Sequence, residues 1–239
     1  EYLELAEGDK EALKHLVKAA VVLDKVNMQL DNPNNLPFKE YLEAEIAKGN
    51  EQAKLTKILF DAQKGVCSLD RESNMIELIK GVSERPGKGV YPQDLEKDEF
   101  HAILIKMLKD GKVDDVAKIL NQRSVVERVG NELVATDYVD KFKDDFAYMA
   151  SELEKAAETS TNADFNEFLI LQAKALRTAD PMLDAYADKK WATLQDTPLE
   201  FTITRENYSD ELTETVVENP ELKALLDENG IIPVAKDFL

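Results

Sequence analysis

Apolar residues recur at helical spacing along almost the whole chain, and this regularity limits the sequence to a mainly α fold. The first instance is the strongest. Leu13, Leu16, Val17, Ala20, Val21, Leu23 and Val26 predict one apolar-faced helix from about residue 9 to residue 30, stopped by Asp31-Asn-Pro-Asn-Asn35. Phe38, Tyr41, Leu42 and Ile46 predict a second helix ending at Gly49. Asn50 caps a third, whose inner face reads as Ala53, Ile58, Leu59 and Ala62. A short fourth helix is expected around residues 74–80. Further helices carry Phe100, Ile103, Leu104, Met107 and Leu108, starting at Asp94 or Asp98, and then residues 113–120. Val139, Phe142, Phe146, Met149, Ala150, Leu153 and Ala157 mark a long helix, and Asn162 caps the next, with Phe165, Phe168, Leu169, Ala173 and Leu176 facing inward. Asp180-Pro181 and Asn219-Pro220 each set a capping side chain before a proline at the first helical position, where the missing N–H costs nothing.

Two stretches break the helical period. Between residues 124 and 135, β-branched side chains flank Gly130-Asn131, which predicts a small hairpin with a tight turn. Between residues 199 and 204, Leu199, Phe201 and Ile203 alternate with Glu200, Thr202 and Thr204, the period of a half-buried strand. The expected architecture is a multi-helix bundle with a minor β-hairpin and one or two short strands. The segment Ser83-Glu-Arg-Pro-Gly-Lys-Gly-Val-Tyr-Pro92 has the spacing of neither a P-loop nor a dinucleotide fingerprint and reads as a surface loop. It marks a boundary between an N-terminal bundle, residues 1–82, and a larger helical region with minor strands, residues 93–239.

Composition excludes several partners. Forty-eight Asp and Glu against thirty Lys and Arg give a net charge of -18, which repels phosphate backbones and anionic lipid surfaces. Neither nucleic acid nor membrane is expected as a partner, and no apolar run approaches the ~20 residues a bilayer span needs. The single cysteine, Cys67, rules out an intrachain disulfide and a cysteine-built zinc site. It reads as a small buried thiol, in keeping with a cytoplasmic location. The sequence opens at Glu1 without a methionine, and both ends read as cuts in a longer polypeptide.

Most catalytic sets are missing from the sequence. His15 and His101 each lack the second histidine and glutamate that a helical metal motif requires, so each is assigned to the edge of a helix core. The carboxylates Asp144, Asp145, Glu152, Glu154 and those between Glu211 and Glu214 read as solvated faces. Asp70-Arg-Glu-Ser-Asn74 lacks the central glycine and distal glutamate of a calcium loop. What remains is Glu206-Asn207-Tyr208, followed by Ser209 and Asp210 as caps for the next helix. A carboxylate can pair with a substrate ammonium and a phenol can orient a neighbouring polar group. The same residues also suit a helix-start carboxylate and a packed tyrosine.

Four segments carry a resemblance: Tyr91-Pro-Gln-Asp-Leu-Glu-Lys-Asp-Glu-Phe100, Tyr148-Met-Ala-Ser-Glu-Leu-Glu-Lys-Ala-Ala157, Leu171-Gln-Ala-Lys-Ala-Leu176, and residues 199–210. In that order they resemble the dipeptidyl peptidase III family of zinc metallopeptidases, in its shorter bacterial branch and its nudix-fused plant branch. The resemblance spans about residues 90–212. It implies a two-lobed enzyme that removes dipeptides from short peptides with a free N-terminus. It also implies zinc in the full-length protein, held by a His-Glu helical motif and a second glutamate motif. Neither motif is present here, so the chain corresponds to the region before the metal site, and no zinc is expected bound to it. Glu206 and Tyr208 match the family's Glu-x-Tyr pair, which binds the substrate's N-terminal ammonium and adjacent backbone, with Asp210 matching a following aspartate. The segment departs from the family in Thr204-Arg205, where a Gly-Pro lead-in is usual, and in the continuation after Leu212.

Two functions follow. The resemblance implies the N-terminal region of a zinc-dependent exopeptidase resembling dipeptidyl peptidase III, contributing one wall of the peptide cleft. The alternative is a non-catalytic acidic helical module that binds basic or amine-bearing partners.

Overall fold

The computed structural model describes residues 2–80, 82, 87–203, 205–207 and 210–239, with Glu206 and Asn207 described by their backbone. Among these residues there are eleven α-helices and six short strands. In chain order they are α1 (Glu7–Asp31), α2 (Asn35–Ala47), α3 (Glu51–Gln63), β1 (Cys67–Leu69), β2 (Met75–Glu77), α4 (Lys97–Lys109), α5 (Val113–Ile119), β3 (Ser124–Val129), β4 (Glu132–Asp137), α6 (Tyr138–Lys141), α7 (Lys143–Thr159), α8 (Ala163–Leu176), α9 (Pro181–Trp191), β5 (Glu206–Asn207), α10 (Leu212–Thr215), α11 (Pro220–Glu228) and β6 (Asp237–Phe238). The strands form three separate two-stranded sheets, β1 with β2, β3 with β4 and β5 with β6. The fold is mainly α with minor hairpins, as the periodicity requires.

Compact contacts divide the chain into two discontinuous units, Glu1–Val26 with Asp137–Arg205 and Leu239, and Asn27–Thr136 with Glu206–Phe238. The chain crosses between these units four times, after Val26, Thr136, Arg205 and Phe238.

In the first unit α7 packs on α8 and α8 on α9. Its core is Phe146, Met149 and Leu153 of α7 against Phe165, Phe168 and Leu169 of α8, all nearly inaccessible. The expected long helix is broken at Phe142 into α6 and α7. Asn162 accepts from the Phe165 N–H at 2.9 Å and Asp180 from the Met182 N–H at 2.9 Å, so both predicted caps form. The Asp9 carboxylate of α1 accepts from the Thr161 N–H and hydroxyl, both at 2.8 Å.

Residues 199–203 do not form a strand. Leu199 and Ile203 turn inward as the alternation predicts. However, Ile203 N–H donates to the Gln172 side chain at 3.3 Å and no neighbouring strand is paired.

In the second unit, Met28, Leu42, Ala53, Phe60 and Val66 make one apolar cluster, with Phe38 and Ile46 packed against it. The inner face of α3 is therefore Ala53 and Phe60. Ile58 and Leu59, assigned inward from the sequence, are 64% and 56% exposed. The expected helix over residues 74–80 is instead β2, paired antiparallel with β1 in the register Cys67↔Glu77 to Leu69↔Met75. Asp70 dictates this: its carboxylate accepts from the backbone N–H of Glu72 at 2.8 Å and of Asn74 at 2.9 Å, folding a turn that a helix would not permit. Cys67 is half-buried and its thiol donates to the Val82 carbonyl.

The described part of the loop before Pro92 is also not a surface loop, since Val90 and Tyr91 are buried. Gly89 N–H donates to the Leu30 carbonyl at 2.8 Å, and a Cβ on Gly89 would stand 1.9 Å from the Gln29 carbonyl oxygen. Only glycine allows that approach. Around this loop, α4 packs on α5, α10 and α11. Asn219 caps α11, accepting from the Glu221 and Leu222 N–H groups at 3.1 Å.

Candidate functional site

Glu206 and Asn207 form β5, whose antiparallel partner is β6 in the register Glu206↔Phe238 and Asn207↔Asp237. Tyr208 and Ser209 lie outside the described residues. A two-residue ladder is too short to hold itself, so the strand's position must come from its surroundings. Those begin at Asp210.

Asp210 is completely buried. One carboxylate oxygen accepts from the Thr213 N–H at 2.6 Å and so begins α10; the other accepts from the Lys236 N–H at 2.7 Å, immediately before β6. Asp210 thus holds the first turn of α10 from the position before its N-cap, Glu211, and that is half of the residue's work. The Lys236 side chain then runs the opposite way. Its ammonium is fully buried and donates to the Ile119 carbonyl, the Asn121 carbonyl and the Ser124 hydroxyl, each at 2.7 Å. Ser124 has one hydroxyl hydrogen, which it gives to the Lys118 carbonyl at 2.8 Å, so toward Lys236 it can only accept. Three acceptors match the three N–H donors of the ammonium form. The ammonium also sits 5.0 Å from the centre of the Tyr91 ring. Tyr91 in turn hydrogen-bonds Thr213 Oγ1 at 2.7 Å.

Burial works against both charges. It pushes the Lys236 ammonium down to about 7, with the Asp210 and Asp237 carboxylates opposing the fall. It raises the Asp210 carboxyl despite the N–H donors of Lys236 and Thr213. Asp237 is held by Arg123 at 3.2 Å, and its backbone N–H donates to the Gln122 carbonyl at 2.8 Å. The Asp210–Lys236 arrangement went unread in the sequence. Its signal is a lysine directly after the apolar run Ile231-Ile-Pro-Val-Ala235.

The remaining candidates resolve as follows. His15 Nδ1 lies 2.6 Å from Glu152 Oε2 in the first unit. Glu152 is 2% exposed and not on a solvated face. Burial pushes its carboxyl up, but His15 and Lys155 outweigh that and leave it below the ordinary glutamate range. His101 is buried with Nε2 at 3.0 Å from Thr215 Oγ1, and desolvation, aided by Lys97, lowers its imidazole below the ordinary value. Among the described residues no three of His, Cys, Asp and Glu gather in a way that would hold a metal ion. Each histidine is committed to a side-chain partner and the thiol to a carbonyl, so the donor set of the described residues does not fit zinc.

The first unit also carries an open groove of about 260 Å³, floored by Phe165 and Leu199 and rimmed by Trp191, Phe201, Asp196 and Glu200.

The fold is like that of dipeptidyl peptidase III structures, which makes the chain a peptidase-like domain. Two solved structures carry the comparison. DPP III (dipeptidyl peptidase III) from Caldithrix abyssi matches with a TM-score of 0.73 and 26% identity over 87% of this chain and 37% of its own. Dipeptidyl-peptidase III from Corallococcus sp. strain EGB matches with a TM-score of 0.66 and 20% identity over 82% of this chain and 34% of its own, a likeness of fold. The chain spans little more than a third of the length of these structures. No protein-family model and no curated protein matches it.

Proposed function

We propose that this chain forms part of a dipeptidyl-peptidase-III-like exopeptidase and contributes one wall of its peptide-binding cleft. Glu206 pairs with the N-terminal ammonium of a short peptide, and Tyr208 orients the adjacent backbone. The observation that supports this reading is the likeness to DPP III from Caldithrix abyssi over 87% of the chain. In this reading zinc and the hydrolytic step belong to other parts of the enzyme, and nothing in the chain's own chemistry routes through a metal. Glu206 and Tyr208 serve to bind and orient.

The test is calorimetric binding of tetra-alanine, free and N-acetylated, to the chain. A charge-assisted contact to the amine is worth about 1.5–3 kcal/mol, so acetylation should weaken binding roughly 10- to 100-fold, and Glu206→Gln should erase that difference. Equal affinity for both peptides would overturn the assignment.

The second reading is an acidic binding module without catalysis. The net charge of -18 supports it, because it attracts basic partners irrespective of a free N-terminus. Binding of acetylated, lysine-rich peptides in preference to tetra-alanine would favour it.

A further inference from the structure

Residue 206 lies in a two-residue strand, which cannot hold its own register. The nearest fixed points are the neighbours of its partner strand. Lys236 precedes β6, and three independent hydrogen bonds from its ammonium tie it to the turn between α5 and β3. Backbone bonds repeat the same attachment: Val234 N–H to the Leu120 carbonyl at 3.3 Å, and Asp237 N–H to the Gln122 carbonyl at 2.8 Å. Asp210 attaches the other strand to the same point by accepting the Lys236 N–H. β5 and β6 are thus fastened at one junction, where Asp210 follows the first strand by three residues and Lys236 immediately precedes the second.

We propose that Lys236 and Asp210 are the positioning pair of the peptide-amine site, fixing β6 on the α5–β3 turn and through it the backbone of Glu206 and Asn207. The proposal rests on the reading of Glu206 as the amine-binding residue. Neither residue of the pair touches substrate. Their effect passes through strand register, which a one-residue slip would change completely. A buried ammonium serves this purpose better than an apolar side chain. It demands three acceptors in fixed directions, whereas a methionine of similar length fills the same space in several ways.

The experiment compares the wild-type chain with Lys236→Met, Glu206→Gln and the double variant. Calorimetry reads the preference for free over N-acetylated tetra-alanine, and amide hydrogen exchange reads β5 and β6. Lys236→Met should melt cooperatively, lose about tenfold of the amine preference, and exchange the β5 and β6 amides faster. The double variant should bind no worse than Glu206→Gln, since both changes remove one interaction. A folded Lys236→Met with intact preference, or with unchanged exchange in the two strands, overturns the proposal. So does a loss that adds to that of Glu206→Gln. If Lys236→Met does not fold, Ser124→Ala removes one acceptor of the three. It should speed β5 and β6 exchange, and no change there is equally fatal. A wild type without amine preference would refute the functional reading, while the exchange measurement would still decide whether the pair holds the strands.

Discussion

His15 Nδ1 and Glu152 Oε2, 137 residues apart in sequence, stand 2.6 Å from each other inside the first unit. Lys155 donates to the other carboxylate oxygen at 2.6 Å, so a glutamate that is 3% exposed along its side chain is satisfied on both oxygens. Glu152→Ala would remove the carboxylate that His15 and Lys155 share, and a loss of about 1–3 kcal/mol in stability should follow, measured by urea melts. The dependence on acid follows from the lowered carboxyl. A group whose folded value lies below its unfolded one stabilises above the unfolded value and loses that contribution as pH falls through the folded one. Wild type and Glu152→Ala should therefore differ at pH 7 and draw together only as pH falls below the ordinary glutamate range.

Lys236 gives the opposite end of the pH scale. The unfolded chain holds this proton up to about pH 10.4, and the folded chain only to about 7. Across that window the unfolded state binds more protons, so this group's contribution to stability rises with pH. The groups facing it are the Asp210 and Asp237 carboxylates and the Tyr91 ring, with Arg123 paired to Asp237. Urea melts at pH 7, 8 and 9 should show wild type gaining on Lys236→Met at each step. A constant gap would mean that the lysine stays protonated throughout.

Two glycines of unlike setting should respond differently to alanine. Gly89→Ala drives a Cβ to 1.9 Å from the Gln29 carbonyl, a backbone atom that cannot swing aside, and overpacking of this kind costs about 1–3 kcal/mol or more. Gly111→Ala meets open space but holds φ at +79°, a left-handed strain of roughly 1–2 kcal/mol. Thermal melts should rank Gly89→Ala as the more damaging. If the two are equal, the chain around residues 29 and 89 is looser than its hydrogen bond implies.

Local chemistry made much of this fold readable. Asn162, Asp180 and Asn219 announce helix starts because a short acceptor reaches the first free N–H groups without help from the rest of the chain. Gly130 at φ +64° likewise turns a hairpin that its neighbours already predict. The region around residues 74–80 was not readable, because Met75, Ile76, Leu78 and Ile79 suit either period and the Asp70 turn decides between them. At residues 199–203 the alternation correctly gave burial and wrongly gave a strand, since a Gln172 side chain takes the place of a ladder. The resemblance singles out Glu206, but nothing in the sequence gives away the junction that holds its strand. Asp210 and Lys236 meet across 26 residues, and nothing in the spacing of a lone aspartate and a lone lysine announces it.

Trp191 is the chain's one tryptophan, and it stands at the rim of the groove in the first unit with 43% of its surface exposed. Its fluorescence therefore reports on that unit and that groove, while far-UV circular dichroism averages the helices of both. A ligand settling beside Phe201 would shift the emission to the blue without disturbing the helical signal. On heating, the interval between the two transitions measures how independently the first unit gives way, an optical separation that the sequence supplies without any label.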